Sequence, residues 1–154
     1  MSATPRDRLL EALKTQDDVP FKQFETGIPM RDGVELAADV YLPEASELPA
    51  PVIVTMTPYD KGSWLSAPEA RMYQERGYVF VAIDVRGRGK SEGQWRAFVN
   101  DGPDGHDAVE WIAEQPWCNG KVGTTGLSYM GWTQWATAAE RPPHRQRRAD
   151  QRPS

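Results

Sequence analysis

Residues 124–132 read Thr-Thr-Gly-Leu-Ser-Tyr-Met-Gly-Trp. Ser128 stands two residues after Gly126 and three before Gly131, between a segment of strand character and one of helix character. A serine on a sharp strand-to-helix bend can be a nucleophile. The bend exposes Oγ, and the N–H of the next residue, here Tyr129, faces the place where an oxyanion would develop at a helix N-terminus. In the usual spacing of such an elbow the second glycine follows two residues after the serine, where this chain has Met130. The alternative is a serine that caps the last helix.

A nucleophilic serine needs a base, and a group to orient the base. His106 and His144 are the only histidines. Where a strand–serine–helix elbow is used, the acid and then the histidine follow the serine along the chain. His106 lies upstream of Ser128, and His144 lies only sixteen residues downstream, at the start of an unpatterned tail. Neither fits the role of base, so no acid and no base of a triad is assigned in this chain. Two histidines and one cysteine, Cys118, make a structural zinc site improbable. Gly89-Lys90-Ser91 suggests a phosphate loop, but a Walker loop would need glycine where Asp84 stands, and a dinucleotide loop would need it where Glu92 stands. No cofactor is expected. Asp84 and Arg86 are expected to hold this loop by local hydrogen bonds, with the glycines permitting its turns.

The elements that would position Ser128 can be read from periodicity. Leu9, Leu10 and Leu13 suggest a short N-terminal helix. "FKQFETGIPM" and "VELAADVYLP" read as two strands joined at "RDG", an antiparallel edge. "VIVTMT" and "YVFVAIDV" are continuously apolar, as doubly buried strands are. "SAPEARMYQERG" reads as a helix stopped by Gly77. A second helix follows within "DGPDGHDAVEWIAEQPW", with Asp104 as its N-cap. "KVGTTGLS" is a strand entering the elbow, and "YMGWTQWATAAE" a helix leaving it. Trp111, Trp132 and Trp135 are expected in the core, and Trp64 and Trp95 in loops. Strands alternating with helices predict an α/β fold, a mostly parallel sheet of about five strands with helices on both faces.

The chain has 154 residues, 39% apolar and 26% charged, enough for one domain with a real core. A single cysteine allows no internal disulfide, and no signal-like or membrane-spanning run is visible, so a cytoplasmic setting is expected. The last eleven residues hold four Arg and one Asp, net +3, which leaves −7 for the rest of a chain of net charge −4. An acidic body argues against nucleic acid as the partner, and no membrane partner is expected.

Taken together, "IPMRDGVELAADVYLP", "TPYDK", "RGYVFVAIDVRGRGKSEG" and "AVEWIAEQPWCNGKVGTTGLSYMG" resemble the N-terminal part of the cocaine-esterase and Xaa-Pro dipeptidyl-peptidase family of α/β-hydrolases, over about residues 21–143. The family's elbow is Gly-x-Ser-Tyr-x-Gly, which accounts for the late Gly131. The resemblance implies that Ser128 is the nucleophile, that the Tyr129 backbone N–H forms half of an oxyanion hole, and that the Tyr59 phenol in "TPYDK" forms the other half. It implies ester or amide cleavage through an acyl-serine, on a small ester or short peptide substrate. It divides the chain into an N-terminal extension (1–20), the hydrolase segment (21–143) and a basic, disordered tail (144–154). Family members are several hundred residues long and carry their acid and histidine well after the nucleophile. The abrupt change after "AAERPPH" to Arg, Gln and Pro suggests a frameshift or truncation, with the outer edge of "KVGTTG" left unpaired. The chain alone is therefore expected to be nearly inactive, and a non-catalytic fragment or interaction module with the same fold remains the alternative.

Overall fold

Two segments of alternating and continuous apolar pattern organise the molecule, and in a computed structural model, which describes residues 22–63 and 66–144, they form one sheet. Its strands are β1 (Lys22–Pro29), β2 (Glu35–Leu42), β3 (Ala50–Thr57), β4 (Val79–Asp84) and β5 (Cys118–Thr124), in the spatial order β1-β2-β4-β3-β5. β1 and β2 form the expected antiparallel hairpin, from Lys22 opposite Leu42 to Pro29 opposite Glu35. Gly33 turns it at φ 85°, a left-handed conformation open to glycine. β2 is also antiparallel to β4, whereas β3 runs parallel to both β4 and β5. The expected parallel sheet with an antiparallel edge is present as three parallel strands bordered by two antiparallel ones. The helix near Leu9, the side chain of Trp64 and the tail after His144 lie outside the described residues.

Among the described residues three α-helices cover the sheet: α1 (Ser66–Glu75), α2 (Asp101–Ala113) and α3 (Tyr129–Ala139). On one face Ala70 of α1 packs with Tyr41, Phe80 and Ala82. On the other, Ala108, Val109 and Ile112 of α2 close over Val52, Val54, Val81 and Ile83. All six residues of β4 are buried, which is why its sequence shows no alternation. Gly77, at φ 80°, ends α1 as expected, with the Tyr78 N–H returning to the Tyr73 carbonyl.

Several sequence expectations are corrected here. Asp104 is not the cap of α2. The helix starts three residues earlier, after Asn100, and Asp104 is a buried carboxylate that accepts from Arg86 Nε at 2.9 Å and from its terminal nitrogen at 2.7 Å. A two-pronged guanidinium contact is stronger than one cap bond, and it claims the side chain. For the same reason Arg86 does not act locally. It also reaches Asp32 at 2.7 Å, tying the β1–β2 turn to α2. Trp132 and Trp135 are 41% and 67% exposed, because α3 buries only Thr133 and Thr137. Trp111 does pack on the core, and Trp95 lies exposed under the Arg88 guanidinium, 5.0 Å from the ring centre. Finally, the outer edge of β5 is not wholly open. The Val122 N–H donates to the His144 carbonyl at 3.2 Å, while the His144 N–H and Nδ1 both contact the carboxylate of Glu110.

One buried ion cluster spans the hairpin. Glu25 and Asp39 are cross-strand partners of like charge, and Lys61, with a side chain only 5% exposed, bridges them at 2.7 and 2.8 Å. Burial pulls the Lys61 ammonium toward neutrality, but the two carboxylates outweigh it and hold its pKa above the usual lysine value. Lys61→Met should lower the unfolding free energy by about 3–5 kcal/mol, because it leaves Asp39 buried without its counter-ion. Adding Asp39→Leu should recover most of that loss. Denaturant unfolding of the single and double variants checks both.

Candidate active site

β3 and β5 are neighbouring parallel strands, with Val54 opposite Thr124. The Thr125 N–H extends their ladder by donating to the Val54 carbonyl at 2.9 Å. Tyr59 follows Val54 by five residues and Ser128 follows Thr124 by four. Both therefore leave the sheet at the same carboxyl edge, where open parallel sheets bind ligands. The structure thus brings together the two chain segments that the sequence singled out.

Ser128 sits between β5 and α3 with φ 57° and ψ −124°. A non-glycine residue in this region costs about 1–3 kcal/mol and persists only when its surroundings over-determine it. Those surroundings are visible. Gly126, at φ 139°, lies so close to Met130 that a β-carbon there would collide with the Met130 Cβ. Gln134 Nε2 donates to the Gly126 carbonyl at 2.9 Å, and the Thr124 hydroxyl donates to Gln134 Oε1 at 3.2 Å. The Thr133 hydroxyl, one turn into α3, shares its single proton between the Met130 carbonyl at 2.9 Å and the Met56 carbonyl of β3 at 3.3 Å. Thr125 Oγ1 contacts Glu69 of α1 at 3.0 Å. The bend is thereby bolted to β3, α1 and α3. The Ser128 carbonyl accepts from the Gly131 and Trp132 N–H groups, so it already belongs to the helix while its φ does not. The alternative of a helix-capping side chain is not met: Ser128 makes no side-chain cap bond.

The N–H of Tyr129, the first residue of α3, meets no acceptor among the described residues, as is normal for the first turn of a helix. Its phenol is fixed. The hydroxyl donates to Asp101 Oδ2 at 2.7 Å and accepts the Phe98 N–H at 3.1 Å, and its ring stacks on Phe98 at 5.0 Å between centres. Burial pushes the Tyr129 pKa above the usual phenol value, and the Asp101 charge adds to that against the Phe98 N–H.

Tyr59 is 49% exposed on the loop after β3. Its N–H donates to Thr57 Oγ1 at 3.0 Å, and Asp60 turns the chain at φ 80°. The Lys61 N–H then donates to Asp84 Oδ1 at 2.8 Å. Asp84 Oδ2 accepts the Lys90 N–H at 3.0 Å, and its backbone carbonyl accepts from Ser91 Oγ at 2.6 Å. Asp84 thus holds its loop as the sequence predicted, and holds the Tyr59 loop as well.

Neither histidine is hydrogen-bonded to Ser128. His106 Nδ1 lies 3.3 Å from Asp107 Oδ1, and His144 Nδ1 lies 2.7 Å from Glu110 Oε2. No cluster of metal-ligating side chains occurs among the described residues, and no described helix is long and apolar enough to cross a membrane. Sequence reasoning missed Asp101, whose partners lie 28 and 31 residues away, and Gln134, which binds the Gly126 carbonyl and the Thr124 hydroxyl across the bend. It also missed Lys61, for which a signal existed: Asp39 is a lone charge inside an apolar strand, and a buried charge requires a partner.

Comparison with known proteins agrees with this geometry. The family model described as X-Pro dipeptidyl-peptidase (S15 family) matches residues 32–149. Cocaine esterase from Rhodococcus sp. (strain MB1 Bresler) is 42% identical over 121 residues, covering 72% of this chain and 20% of that protein. Among solved structures, an α-amino acid ester hydrolase superposes with a TM-score of 0.72 at 30% identity, over 82% of this chain and 24% of its own. A CocE/NonD family hydrolase from Staphylococcus aureus gives 0.71 at 27% identity, over 80% and 26%. The chain spans about a fifth of the length of the curated relatives it matches.

The two glycines of the motif should respond differently to substitution. Gly126→Ala combines a steric collision with positive φ and should cost several kcal/mol, of the order of 3. Gly131→Ala meets nothing nearer than the Gly126 carbonyl at 3.8 Å and should gain up to about 1 kcal/mol from helix propensity. Ser128→Gly should stabilise the fold by about 1 kcal/mol or more by relieving the backbone. Thermal melts of the three variants read all of this; a neutral Ser128→Gly would argue that the bend carries no strain.

Proposed function

Because the chain belongs to the X-Pro dipeptidyl-peptidase (S15) family of α/β-hydrolases, we propose that Ser128 is the nucleophile of an acyl transfer to water. The observation that supports this most is the strained φ of Ser128 at the β5–α3 bend, a conformation that a mere capping serine has no reason to adopt. Oγ attacks the carbonyl carbon of an ester or amide, forming a tetrahedral intermediate. The Tyr129 N–H and the Tyr59 hydroxyl donate to the oxyanion. A phenol O–H is a hydrogen-bond donor and can serve this role. Collapse expels the alcohol or amine and leaves an acyl-serine, which water then hydrolyses. The names of the relatives, a cocaine esterase and an α-amino acid ester hydrolase, favour a small ester or a short peptide as substrate.

The serine proton must be taken up by a base and delivered to the leaving group. His106 and His144 are engaged with Asp107 and Glu110 on α2, and in this reading neither serves. Loss of the base from a serine triad costs about 10⁶ in turnover and leaves about 10³–10⁴ over water from oxyanion binding. The 154-residue chain should therefore hydrolyse p-nitrophenyl acetate only at that residual level. Ser128→Ala should leave that residual level nearly unchanged, because it arises from oxyanion binding and not from the nucleophile; a rate that vanishes in Ser128→Ala would show that a base is being supplied. Tyr59→Phe should lower the residual level by about 10²–10³. Turnover typical of a complete serine hydrolase would overturn the missing-base reading.

One observation favours a second reading, a module that docks rather than reacts: Leu127 and Trp135 are 82% and 67% exposed beside the bend. A fluorophosphonate probe separates the two. Slow labelling confined to Ser128 supports the nucleophile, and no labelling after prolonged exposure supports the docking module.

A further inference from the structure

Asp101 is the first residue of α2, 6% exposed, and 28 and 31 residues from the two side chains it binds. Its Oδ2 accepts from the Tyr129 hydroxyl at 2.7 Å and from Trp132 Nε1 at 3.0 Å. Tyr129 and Trp132 are three residues apart and so lie on one side of α3. Phe98 completes the group. It stacks on Tyr129, meets Trp132 edge-on at 5.3 Å, and adopts φ 65° to present its N–H to the Tyr129 oxygen.

Two bonds from one face of α3 to one oxygen on α2 fix both the distance of α3 from α2 and the rotation of α3 about its axis. The Tyr129 N–H projects from the first turn of that helix, so its direction depends on that rotation. We propose that Asp101 is a positioning residue: by holding the Tyr129 phenol and the Trp132 indole, it aims the Tyr129 backbone N–H at the space beside Ser128 Oγ. Its effect on reactivity rests on the reading of Ser128 as nucleophile, whereas its effect on the Tyr129 N–H does not.

The chemistry of the carboxylate supports a tuned position over plain packing. Burial pushes the Asp101 pKa up, the Tyr129 and Trp132 donors pull it down, and Asp104 one turn on pushes it up again; the net is above the usual carboxylate value. Asp104 is itself paired with Arg86, and Glu140 at the end of α3 lies beside Gly102. A raised folded-state pKa means that the fold binds this proton more tightly than the unfolded chain does. Ionised Asp101 therefore costs stability at neutral pH, and that cost disappears as pH falls through its folded pKa. A group kept charged against the interest of stability, while accepting two donors next to the bend, fits a role in setting geometry.

The test uses the full 154-residue chain and three variants, Asp101→Asn, Asp101→Leu and Asp104→Asn. Nitrogen-15 NMR follows the Trp132 Nε1–H and the Tyr129 backbone N–H during acid titration, and fluorophosphonate labelling of Ser128 is timed over the same pH range. In the wild type the two resonances should shift together, with a midpoint above the ordinary carboxylate value of about 3.9. Asp101→Asn, which keeps an oxygen acceptor of the same reach, should flatten that titration and label close to the wild-type neutral rate. Asp101→Leu should label about 10–100-fold more slowly. Asp104→Asn should move the midpoint without removing it. A Tyr129 N–H that stays put while Trp132 titrates, or an Asp101→Leu variant that folds and labels like the wild type, would overturn the proposal. Should Asp101→Leu fail to fold, the Asn variant and the wild-type titration decide alone. Should Ser128 label in no form of the chain, the nucleophile reading fails, and the Tyr129 N–H titration still decides the role of Asp101.

Discussion

The candidate site depends on one buried carboxylate. Asp84 has no exposed surface and is met by backbone N–H groups from two loops, Lys61 on one side and Lys90 on the other. A carboxylate out of water must be saturated with donors or it becomes very costly. The two loops are thus locked to the end of β4 and to each other. Gly89 stands where a β-carbon would run into that carboxylate. Ser91 adds a third tie, accepting the Ala37 N–H and donating to the Asp84 carbonyl, so the same loop is sewn to β2. Tyr59, two residues past the end of its strand, owes its fixed base to these bonds rather than to packing.

Ser128 shows the complementary device. Where Asp84 concentrates donors, the β5–α3 bend concentrates constraint. Gln134, Thr133 and Thr125 each bind a different neighbour, and together they hold a backbone that would relax if any part were free. Asp101 extends this hold to α2. The Tyr59 side and the Ser128 side of the candidate site are thereby built from different physics, one from a saturated charge at a strand end and the other from a stressed turn.

Much of this architecture was legible in the sequence. The hairpin at "RDG" and the unbroken apolar runs of β3 and β4 were legible because a strand covered on both faces has no polar positions to alternate. The bend at Ser128 was legible through its strand–turn–helix context, whereas "TPYDK" was singled out only by its resemblance to the family. What was not legible depends on partners distant in sequence. Asp104 looks like a cap locally, and only the arrival of Arg86 makes it a buried counter-ion. Trp132 and Trp135 have core-like identity, but α3 turns threonines inward and leaves the indoles outside, which helical spacing cannot foretell without knowing which face meets the sheet. His144 reads as part of a polar tail, yet its carbonyl meets Val122 and its ring meets Glu110.

The φ of Ser128 has one further consequence. A side chain can be exchanged without altering its neighbours, but a left-handed bend held by the close approach of Gly126 to Met130, a glutamine clamp and two threonines is a shared possession of many positions. Losing the chemistry would not by itself relax it. The strain would remain in the backbone, erased only when several separate residues had changed.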